Sequence, residues 1–223
     1  IDACIDKKVK KIVTLSTDKA SSPVNLYGAT KLTSDRLFIA GNSYSGSYDT
    51  SFSVVRYGNV MGSRGSVIPF FSSIKNEGVF PITDDRMTRF MISLEQGVEL
   101  VWHAFNDMKG GEIYIKRIPS MNIIDIATAV SKEAKHKIVG IRAGEKLHEQ
   151  MIGIEDAPFT YEYQSHYKIL PSIHGWDKDP ERIGDGVKVA SDCTYCSDTN
   201  PEWMDVKTLE AWIKSNQAKI GNI

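Results

Sequence analysis

A strand, a helix and a second strand follow one another within the first sixty residues, and this order limits the possible folds most. Lys11–Leu15 (KIVTL) is a short β-branched run suited to a buried strand. Apolar residues then recur close to helical spacing over Leu26–Asn42, just after Asn25, a residue type that caps helices. Ser51–Val60 (SFSVVRYGNV) is typical of a second strand. Two strands joined by a helix indicate a parallel sheet, so we expect an α/β fold.

The alternation continues further along the chain. The patterns predict a helix at Ser93–Lys109, a strand at Glu112–Lys116 and another helix at Ile123–Ala134. From Lys137 onward the sequence is mixed and richer in Pro, Tyr and Trp. We therefore expect a smaller C-terminal lobe packed on the sheet.

Composition excludes several classes of protein. With 223 residues, 41% of them hydrophobic and 25% charged, the chain can bury a sizeable core. Its net charge of −1 provides no basic field for nucleic acid. No apolar run reaches the roughly 18 to 20 residues of a membrane span, and no signal-peptide pattern is present. Three cysteines suggest a reducing cytoplasm rather than a disulfide scaffold.

The beginning of the chain is unusual. It opens on IDACIDKKVKKIVTLST, without Met and without a turn or a helix cap before the apolar stretch. Ile1–Ile5 is typical of the end of a helix that leads into the first strand. We expect from this opening that earlier elements of a longer protein are missing.

The segment Ser16–Lys31 (STDKASSPVNLYGATK) concentrates groups that could do chemistry. Tyr27 and Lys31 are four residues apart on the predicted helix, so they share one face. A cationic amine beside a phenol favours the phenolate, which could act as a general base. The YxxxK spacing alone fits equally well a solvated lysine and a boundary tyrosine.

Two further groups precede that helix. Ser16 and Thr17 end the first strand, where the carboxyl ends of parallel strands build sites. Asp18 and Lys19 follow directly, and both can serve one site only if the chain has already left the strand. The alternative is a surface turn, since the residues that follow Lys19 include the turn formers SSP.

Taken together, these segments resemble a known family. The motifs STDKA and NLYGATK are similar to those of the extended short-chain dehydrogenases/reductases, and within them of the inverting UDP-N-acetylglucosamine 4,6-dehydratases. The resemblance continues in the same order through the segments RYGNVMGSRGSVIPFF, PITDDRMTRFMISLEQGV, GGEIYI and IRAGEKLHE. It implies a partial Rossmann-like parallel sheet in residues 1–118, with a substrate-loop insertion at about 62–90. Residues 119–223 would then form a C-terminal substrate-binding lobe.

The resemblance also implies roles for the groups of Ser16–Lys31. Tyr27 removes the 4-hydroxyl proton while a nicotinamide cofactor takes hydride from C4, and Lys31 supports Tyr27 and the cofactor ribose. Lys19 is the C5 base and Asp18 the acid for the departing 6-hydroxyl, with Thr17 near the C4 oxygen. Leu15 and Ser16 would contact the cofactor together with Tyr27 and Lys31. A dry pocket would favour the neutral amine and the protonated carboxyl that these roles require.

A diphosphate needs hydrogen-bond donors, and the sequence contains two kinds of them. Glycines in the loop after the second strand let backbone N–H groups approach phosphate. Arg64 and Arg142 carry forked donors suited to phosphate oxygens. For any one Arg or Glu the alternative is a surface ion pair. The substrate-binding residues that the resemblance implies are Lys19, Asn59, Val60, Met61, Gly62, Ser63, Arg64, Thr83, Arg142 and Glu145.

The sequence does not favour a metal site. Cys193 and Cys196 form a CxxC pair without a second pair or a histidine cluster. His148 is followed by Glu149 but by no second histidine four residues on, so we expect an orienting or structural role for His148.

The glycine-rich loop that grips a dinucleotide is not found in this sequence. By the resemblance the cofactor is NADP, with NAD possible, and the glycine loop lies upstream. We expect this chain alone to be inactive and the longer protein to be a cytoplasmic homo-oligomer. The implied role is the first step toward pseudaminic-acid-type sugars. Two alternatives stay open: a nucleotide-sugar epimerase of the same fold, and a catalytically silent nucleotide-sugar binding module.

Overall fold

The structure is a computed structural model that describes residues 1–221. Within it the chain forms two compact units, each built from three separate segments. Unit 1 comprises Ile1–Tyr57, Val98–Arg117 and Gln150–Tyr195. Unit 2 comprises Gly58–Gly97, Ile118–Glu149 and the segment from Cys196 onward. The sequence predicted one boundary near residue 118, whereas the compact units alternate along the chain. The division into cofactor-binding and substrate-binding lobes stays a prediction.

The helices of the described residues are short, with one exception. The α-helices are Asp2–Asp6 (α1), Leu26–Tyr44 (α2), Val67–Ser73 (α3), Leu94–Asp107 (α4), Ile123–Val130 (α5), Pro180–Ile183 (α6) and Val206–Ser215 (α7). A 3-10 helix, Asp18–Ala20, follows the first strand directly. Within residues 1–221 no helix has both the length and the apolar character needed to cross a membrane.

The strands form four sheets in the same part of the chain. They are Lys11–Thr17 (β1), Ser51–Tyr57 (β2), Asn59–Val60 (β3), Val79–Ile82 (β4), Thr88–Ile92 (β5), Ile113–Lys116 (β6), Ser120–Asn122 (β7), Lys135–Ile138 (β8), Gln150–Ile152 (β9), Thr160–Glu162 (β10), His166–Ile169 (β11), Val187–Lys188 (β12) and Tyr195–Cys196 (β13).

Unit 1 is organised by a six-stranded sheet in the order β1-β2-β6-β11-β10-β12. β1, β2 and β6 are parallel, which confirms the predicted α/β fold with a parallel sheet. β11, β10 and β12 extend this sheet antiparallel to their neighbours. Residues past 150 thus add strands to the main sheet, where the sequence predicted a separate lobe. Within the described residues β1 lies at one edge of this sheet and β12 at the other, and the carboxyl end of β1 leads into the 3-10 helix.

Each unit contains an apolar cluster of its own. In unit 1, α4 packs on the sheet through the buried residues Val55, Leu100, Ala104, Met108 and Tyr114. In unit 2, the core includes Phe71 and Phe80, whose rings stack with centroids 4.7 Å apart. Around them lie the small sheets β3-β5-β7 and β4-β8. Aromatic pairs of this kind stabilise a core beyond the area that they bury.

Candidate functional site

The turn after β1 places Asp18 and Lys19 outside the strand. Thr17 caps the 3-10 helix, since its Oγ1 accepts a hydrogen bond from the backbone N–H of Lys19 at 3.4 Å. The strand ends at Thr17, so Asp18 and Lys19 no longer alternate across the sheet. This is the condition under which the sequence allowed both side chains to serve one site.

Asp18 and Lys19 contact each other through their charged groups. Lys19 Nζ lies 3.1 Å from Asp18 Oδ1, and Thr17 Oγ1 donates to the same oxygen at 2.9 Å. Asp18 is fully buried, while the Lys19 side chain keeps 34% of its surface exposed. Asp18 Oδ2 is buried and has no hydrogen-bond partner among residues 1–221. A buried carboxylate oxygen without a partner is costly, which is typical of a site arranged for a ligand.

The helix α2 presents the phenol and the second amine. Asn25 caps this helix by accepting a hydrogen bond from the backbone N–H of Gly28 at 2.8 Å. Tyr27 lies in the first turn and is 55% exposed. Lys31, one turn later, donates from Nζ to the carbonyl oxygen of Leu15 at 2.7 Å. The amine is thereby fixed at the carboxyl end of β1.

Tyr57, at the end of β2, is a neighbour of Tyr27 that the sequence did not predict. Burial, and then the nearby Tyr27 phenol, raise the pKa of Tyr57. Tyr57 pairs with Thr17 in the parallel register of β1 and β2. This register is the reason that a residue forty positions further along the chain lies at the same end of the sheet.

A buried ion pair lies behind these groups and was also missed by the sequence. Asp35 Oδ2 accepts hydrogen bonds from Ser16 Oγ at 2.8 Å and from Arg56 Nη2 at 3.2 Å. Both charged side chains are 1% exposed. The signal in the sequence is Tyr27, Lys31 and Asp35 at four-residue spacing, which continues the predicted face by one turn.

The residues of unit 1 fit the nicotinamide end of a dinucleotide. Tyr27 and Leu15 are about half exposed at the carboxyl end of the edge strand, and Lys31 is held beside them. A planar ring could be accommodated on such an open, partly apolar face. The hydroxyl of Ser16, which was predicted to contact the cofactor, donates a hydrogen bond to Asp35.

Unit 2 contains a cavity of about 590 Å³ that gathers three of the predicted substrate-binding residues, Thr83, Arg142 and Glu145. Glu145 accepts a hydrogen bond from the backbone N–H of Arg142 at 3.4 Å, and its carboxylate lies 3.9 Å from Arg142 Nη1. The rest of the lining is mostly apolar or small: Gly65, Ser66, Val67, Pro69, Phe70, Phe71, Ser73, Pro81, Ile123 and Val139. An apolar wall with a few converging polar groups is typical of a small-molecule binding site.

The loop Asn59–Arg64 lies outside the cavity that Thr83, Arg142 and Glu145 line. None of these six residues lines the cavity of unit 2. Met61 is buried in the hydrophobic core, and Gly62 lies against Trp212, where a Cβ would approach the indole to 2.9 Å. The positive φ of Gly62, 76°, and this contact explain the glycine by packing. Of the remaining loop residues, Val60 and Ser63 are half-buried and Arg64 is exposed.

Asn59, the two cysteines of the CxxC pair and His148 each have their own local surroundings in the structure. Asn59 Oδ1 is buried without a hydrogen-bond partner among the described residues. Cys193 and Cys196 are not joined by a disulfide, and no group of three or more His, Cys, Asp or Glu side chains in residues 1–221 is placed to hold a metal ion. His148 Nδ1 lies 2.8 Å from Thr88 Oγ1, and the orienting or structural role of His148 stays a prediction.

Known proteins share this chain's sequence and fold. A family model described as polysaccharide biosynthesis protein matches residues 1–171. A UDP-N-acetylglucosamine 4,6-dehydratase (inverting) of Campylobacter jejuni is 55% identical over 216 residues, which are 94% of this chain and 65% of that protein. A UDP-glucose 4-epimerase of Rickettsia canadensis is 39% identical over 174 residues, covering 76% of this chain and 51% of that protein. The X-ray structure of Pen from Bacillus thuringiensis matches with a TM-score of 0.85 at 33% identity, covering 97% of this chain and 66% of that chain.

These matches cover most of this chain but only part of each relative. The chain spans 65% of the length of the Campylobacter dehydratase and about half of the Rickettsia epimerase. The family model covers well over half of the chain, including β1, α2 and the residues between them. The resemblance read from the motifs is thus confirmed: this chain belongs to the polysaccharide biosynthesis protein family.

Proposed function

We propose that this chain carries the catalytic residues of an inverting UDP-N-acetylglucosamine 4,6-dehydratase that uses NADP. The observation that supports this most is the contact of 3.1 Å between Lys19 Nζ and buried Asp18, directly after the strand whose end holds Lys31. An epimerase needs a redox base such as Tyr27 but has no task for an acid and an amine in contact. The relative of Campylobacter that is named a dehydratase supports the same assignment.

The first task is to oxidise the sugar at C4. A bound nicotinamide would supply the redox chemistry, taking a hydride from C4 and later returning it to C6. Tyr27 Oη would accept the proton of the 4-hydroxyl, and its exposed position lets a sugar reach it. The cationic Lys31, held by the carbonyl of Leu15, would stabilise the phenolate that this role requires.

The second task is to eliminate water across C5 and C6. The 4-ketone acidifies the C5–H bond, and the lone pair of neutral Lys19 Nζ would take that proton. As the C5–C6 double bond forms, the C6–O bond breaks and Asp18 would donate its proton to the leaving oxygen, giving water. The proton on Lys19 would then pass to the Asp18 carboxylate along their hydrogen bond, which restores both groups. The hydride returned to C6 and a solvent proton added to C5 on the face opposite Lys19 complete the inverted 4-keto-6-deoxy product.

The contact between the two side chains explains how both could be uncharged. An ammonium–carboxylate pair and an amine–carboxylic acid pair differ only by the position of one proton along the Nζ–Oδ1 hydrogen bond. Asp18 is already buried, and a sugar covering Lys19 would remove the remaining water from the contact between the two groups, where low polarity favours the uncharged pair. Substrate binding would thus shift the pair toward the form that elimination needs.

The cavity of unit 2 would hold the nucleotide. Arg142 carries a guanidinium that suits a diphosphate, and Glu145 suits the ribose hydroxyls. The apolar residues Phe70, Pro81 and Val139 offer a surface for a base. The product would enter the synthesis of pseudaminic-acid-type sugars.

The runner-up function is a nucleotide-sugar epimerase, which the Rickettsia relative favours by its name. The two reactions differ at C5, because only the dehydratase breaks the C5–H bond. A catalytically silent binding module would do neither, although it would still bind the nucleotide.

The decisive experiment therefore follows C5 alone. The chain is incubated in D2O with UDP-4-keto-6-deoxy-N-acetylglucosamine, the keto sugar that keeps the C5 configuration of the substrate and so presents its C5–H to Lys19, and deuterium at C5 is read by NMR. This exchange needs the base but no redox step, so it does not depend on cofactor loading. We expect exchange with the natural chain and with Lys7→Ala, an exposed lysine of the same unit, but none with Lys19→Ala. Exchange that survives Lys19→Ala contradicts the mechanism, and its absence from the natural chain favours an epimerase or a binding module.

A further inference from the structure

The buried cluster of Ser16, Asp35 and Arg56 has no task in the proposed reaction. Asp35 Oδ2 receives both the hydroxyl of Ser16, at 2.8 Å, and the guanidinium of Arg56, at 3.2 Å. Arg56 also donates from Nη1 to the carbonyl oxygen of Met151 at 2.6 Å and to Asp156 Oδ2 at 3.3 Å. The carboxylate of Asp35 and the guanidinium of Arg56 therefore connect four segments of unit 1, namely β1, α2, β2 and residues 151–156.

Burying this cluster of charged and polar groups costs more free energy than burying apolar side chains would. Burial raises the pKa of Asp35 although Arg56, Ser16 and Lys31 all act to lower it. Asp35 Oδ1 and Arg56 Nε are buried without hydrogen-bond partners among residues 1–221. Buried ion pairs are often replaced by apolar side chains at no loss of stability. Stability alone is thus a poor reason for the cluster, and a fixed geometry is a better one.

The segments that the cluster joins surround the turn of Asp18 and Lys19. Ser16 lies two residues before Asp18 on the same strand end. Met151 belongs to β9, which lies against the 3-10 helix of that turn, and Gly153 follows beside the hydroxyls of Ser21 and Ser22. Each hydrogen bond to Asp35 or Arg56 therefore restrains one side of the turn.

The same cluster is rigidly linked to the other catalytic pair. Asp35 lies on α2 one turn beyond Lys31 and two turns beyond Tyr27. Lys31 itself bonds the carbonyl of Leu15, the residue before Ser16. α2 and β1 are consequently joined twice, once through Lys31 and once through Asp35.

We infer that Asp35 is a positioning residue that, through Ser16 and Arg56, holds the Asp18–Lys19 turn in register with Tyr27 and Lys31. The inference rests on the proposed function, because it assigns the two pairs to one reaction. The charged groups that face Asp35 are Arg56 and Lys31, and Asp156 and Arg36 lie behind Arg56. Asp35 touches none of the reacting atoms in this scheme.

The chain offers a closely matched control for a test. Ser53, also buried, donates to the buried carboxylate of Glu112 at 2.6 Å, and Glu112 pairs with Arg182 at 2.7 Å. Ser16→Ala and Ser53→Ala therefore each remove one hydroxyl from a buried serine–carboxylate–arginine cluster of unit 1. Only Ser16 precedes the turn of Asp18 and Lys19, so the two variants separate a general loss of stability from a loss of positioning.

The first measurement is the cofactor-independent C5 exchange in D2O. We expect Ser16→Ala to lower its rate about tenfold to a hundredfold, since small misplacements of a catalytic group have effects of this size. Asp35→Asn, which keeps the shape but loses the charge opposite Arg56, should lower it similarly. Ser53→Ala should exchange at the natural rate, with a melting temperature lowered as much as in Ser16→Ala.

The second measurement needs no turnover and separates this inference from the proposed function. Trace acetylation with acetic anhydride, read by mass spectrometry, gives the reactivity of Lys19 relative to Lys7 in the same chain. We expect this ratio to change at least about threefold in Ser16→Ala and Asp35→Asn but not in Ser53→Ala. If the natural chain shows no C5 exchange, the proposed function fails and the acetylation ratio alone decides the positioning role. An unchanged ratio in Ser16→Ala, or equal effects of Ser16→Ala and Ser53→Ala, overturns it.

Discussion

Gly28 lies against the backbone carbonyl oxygen of Lys19, so close that a Cβ at residue 28 would collide with this oxygen. The first turn of α2 therefore packs directly on the turn that carries Asp18 and Lys19. Gly28 has an ordinary helical backbone, which means that the glycine is required by space and not by its dihedral angles. A residue without a side chain thus sets the distance between the redox pair and the elimination pair.

Gly28→Ala should destabilise the protein and disturb the site, because the carbonyl of Lys19 is backbone and cannot rotate away. We expect a loss of about 1 to 3 kcal/mol in the free energy of unfolding, as for other overpacked positions. Gly97→Ala is the control, since Gly97 lies inside α4 with open space where its Cβ would be. It should gain about 0.5 to 1 kcal/mol. Urea unfolding measures both, and equal effects would argue against the close contact.

Asp18→Asn should remove the acid function of Asp18 while leaving the base function of Lys19 in place. The amide can still accept hydrogen bonds from Thr17 and Lys19, but it has no acidic proton for the leaving hydroxyl. In the longer protein expected from the resemblance, with cofactor and UDP-N-acetylglucosamine supplied, we expect dehydration to fall by about 10² to 10⁴-fold, as when a general acid is removed. The C5 exchange of UDP-4-keto-6-deoxy-N-acetylglucosamine, which needs only Lys19, should be retained. Loss of both activities together would mean that Asp18 serves mainly to hold Lys19.

Arg142→Ala should weaken nucleotide binding without changing the C5 exchange rate at saturation. Loss of hydrogen bonds to a charged phosphate should raise the dissociation constant for UDP about tenfold. Isothermal titration calorimetry measures this constant. Arg86→Ala is the control because Arg86 is an exposed arginine of unit 2 that pairs with Asp84 outside the cavity. Equal affinities of the two variants would place the nucleotide elsewhere.

The stability of the protein should fall below pH 6.5 through His166. Burial, and then the neighbouring His103 and Lys168, lower the pKa of His166 to about 4. The unfolded chain takes up this proton near pH 6.5 and the folded chain only near pH 4. Stability is therefore complete above pH 6.5 and is lost progressively as pH falls toward 4, by about 2 kcal/mol.

His166→Gln removes this titration, and the free energy of unfolding measured by urea at pH 4.5 to 7 should then depend less steeply on pH. His174→Gln, at an exposed position of the 3-10 segment Ile173–Lys178, is the matched control and should keep the steep dependence. If His166→Gln is as steep as the natural chain, the proton uptake belongs to other groups.

Local patterns were sufficient to predict β1 and α2. The predicted strand at Lys11–Leu15 lies within β1, and the predicted helix after Asn25 begins at Leu26 as α2. A β-branched run and a helix cap act through neighbouring residues, so the sequence shows them directly. The predicted second strand was wrong at its end: β2 stops before Gly58, and Asn59–Val60 pairs with β5 in another sheet. Which strand accepts the last two residues depends on tertiary pairing.

The candidate site could be predicted only in part, for the same reason. Asp18, Lys19, Tyr27 and Lys31 lie within fourteen residues, so their motif identifies them together. Asp35 has the appearance of a polar residue on a solvated helix face, and its burial depends on Arg56, which is 21 residues away. The hydrophobic burial of Met61 likewise follows from packing that residue type and spacing do not show.

The order of strands in unit 1 has a consequence for synthesis of the protein on the ribosome. β6 is flanked by β2 and β11, and β11 ends at Ile169. β6 therefore lacks one of its two neighbours until the chain has been translated past Ile169. Contacts so distant in sequence form slowly and leave strand edges exposed in the meantime. We expect the nascent chain to bind chaperones until that strand emerges, and truncations before residue 166 to aggregate.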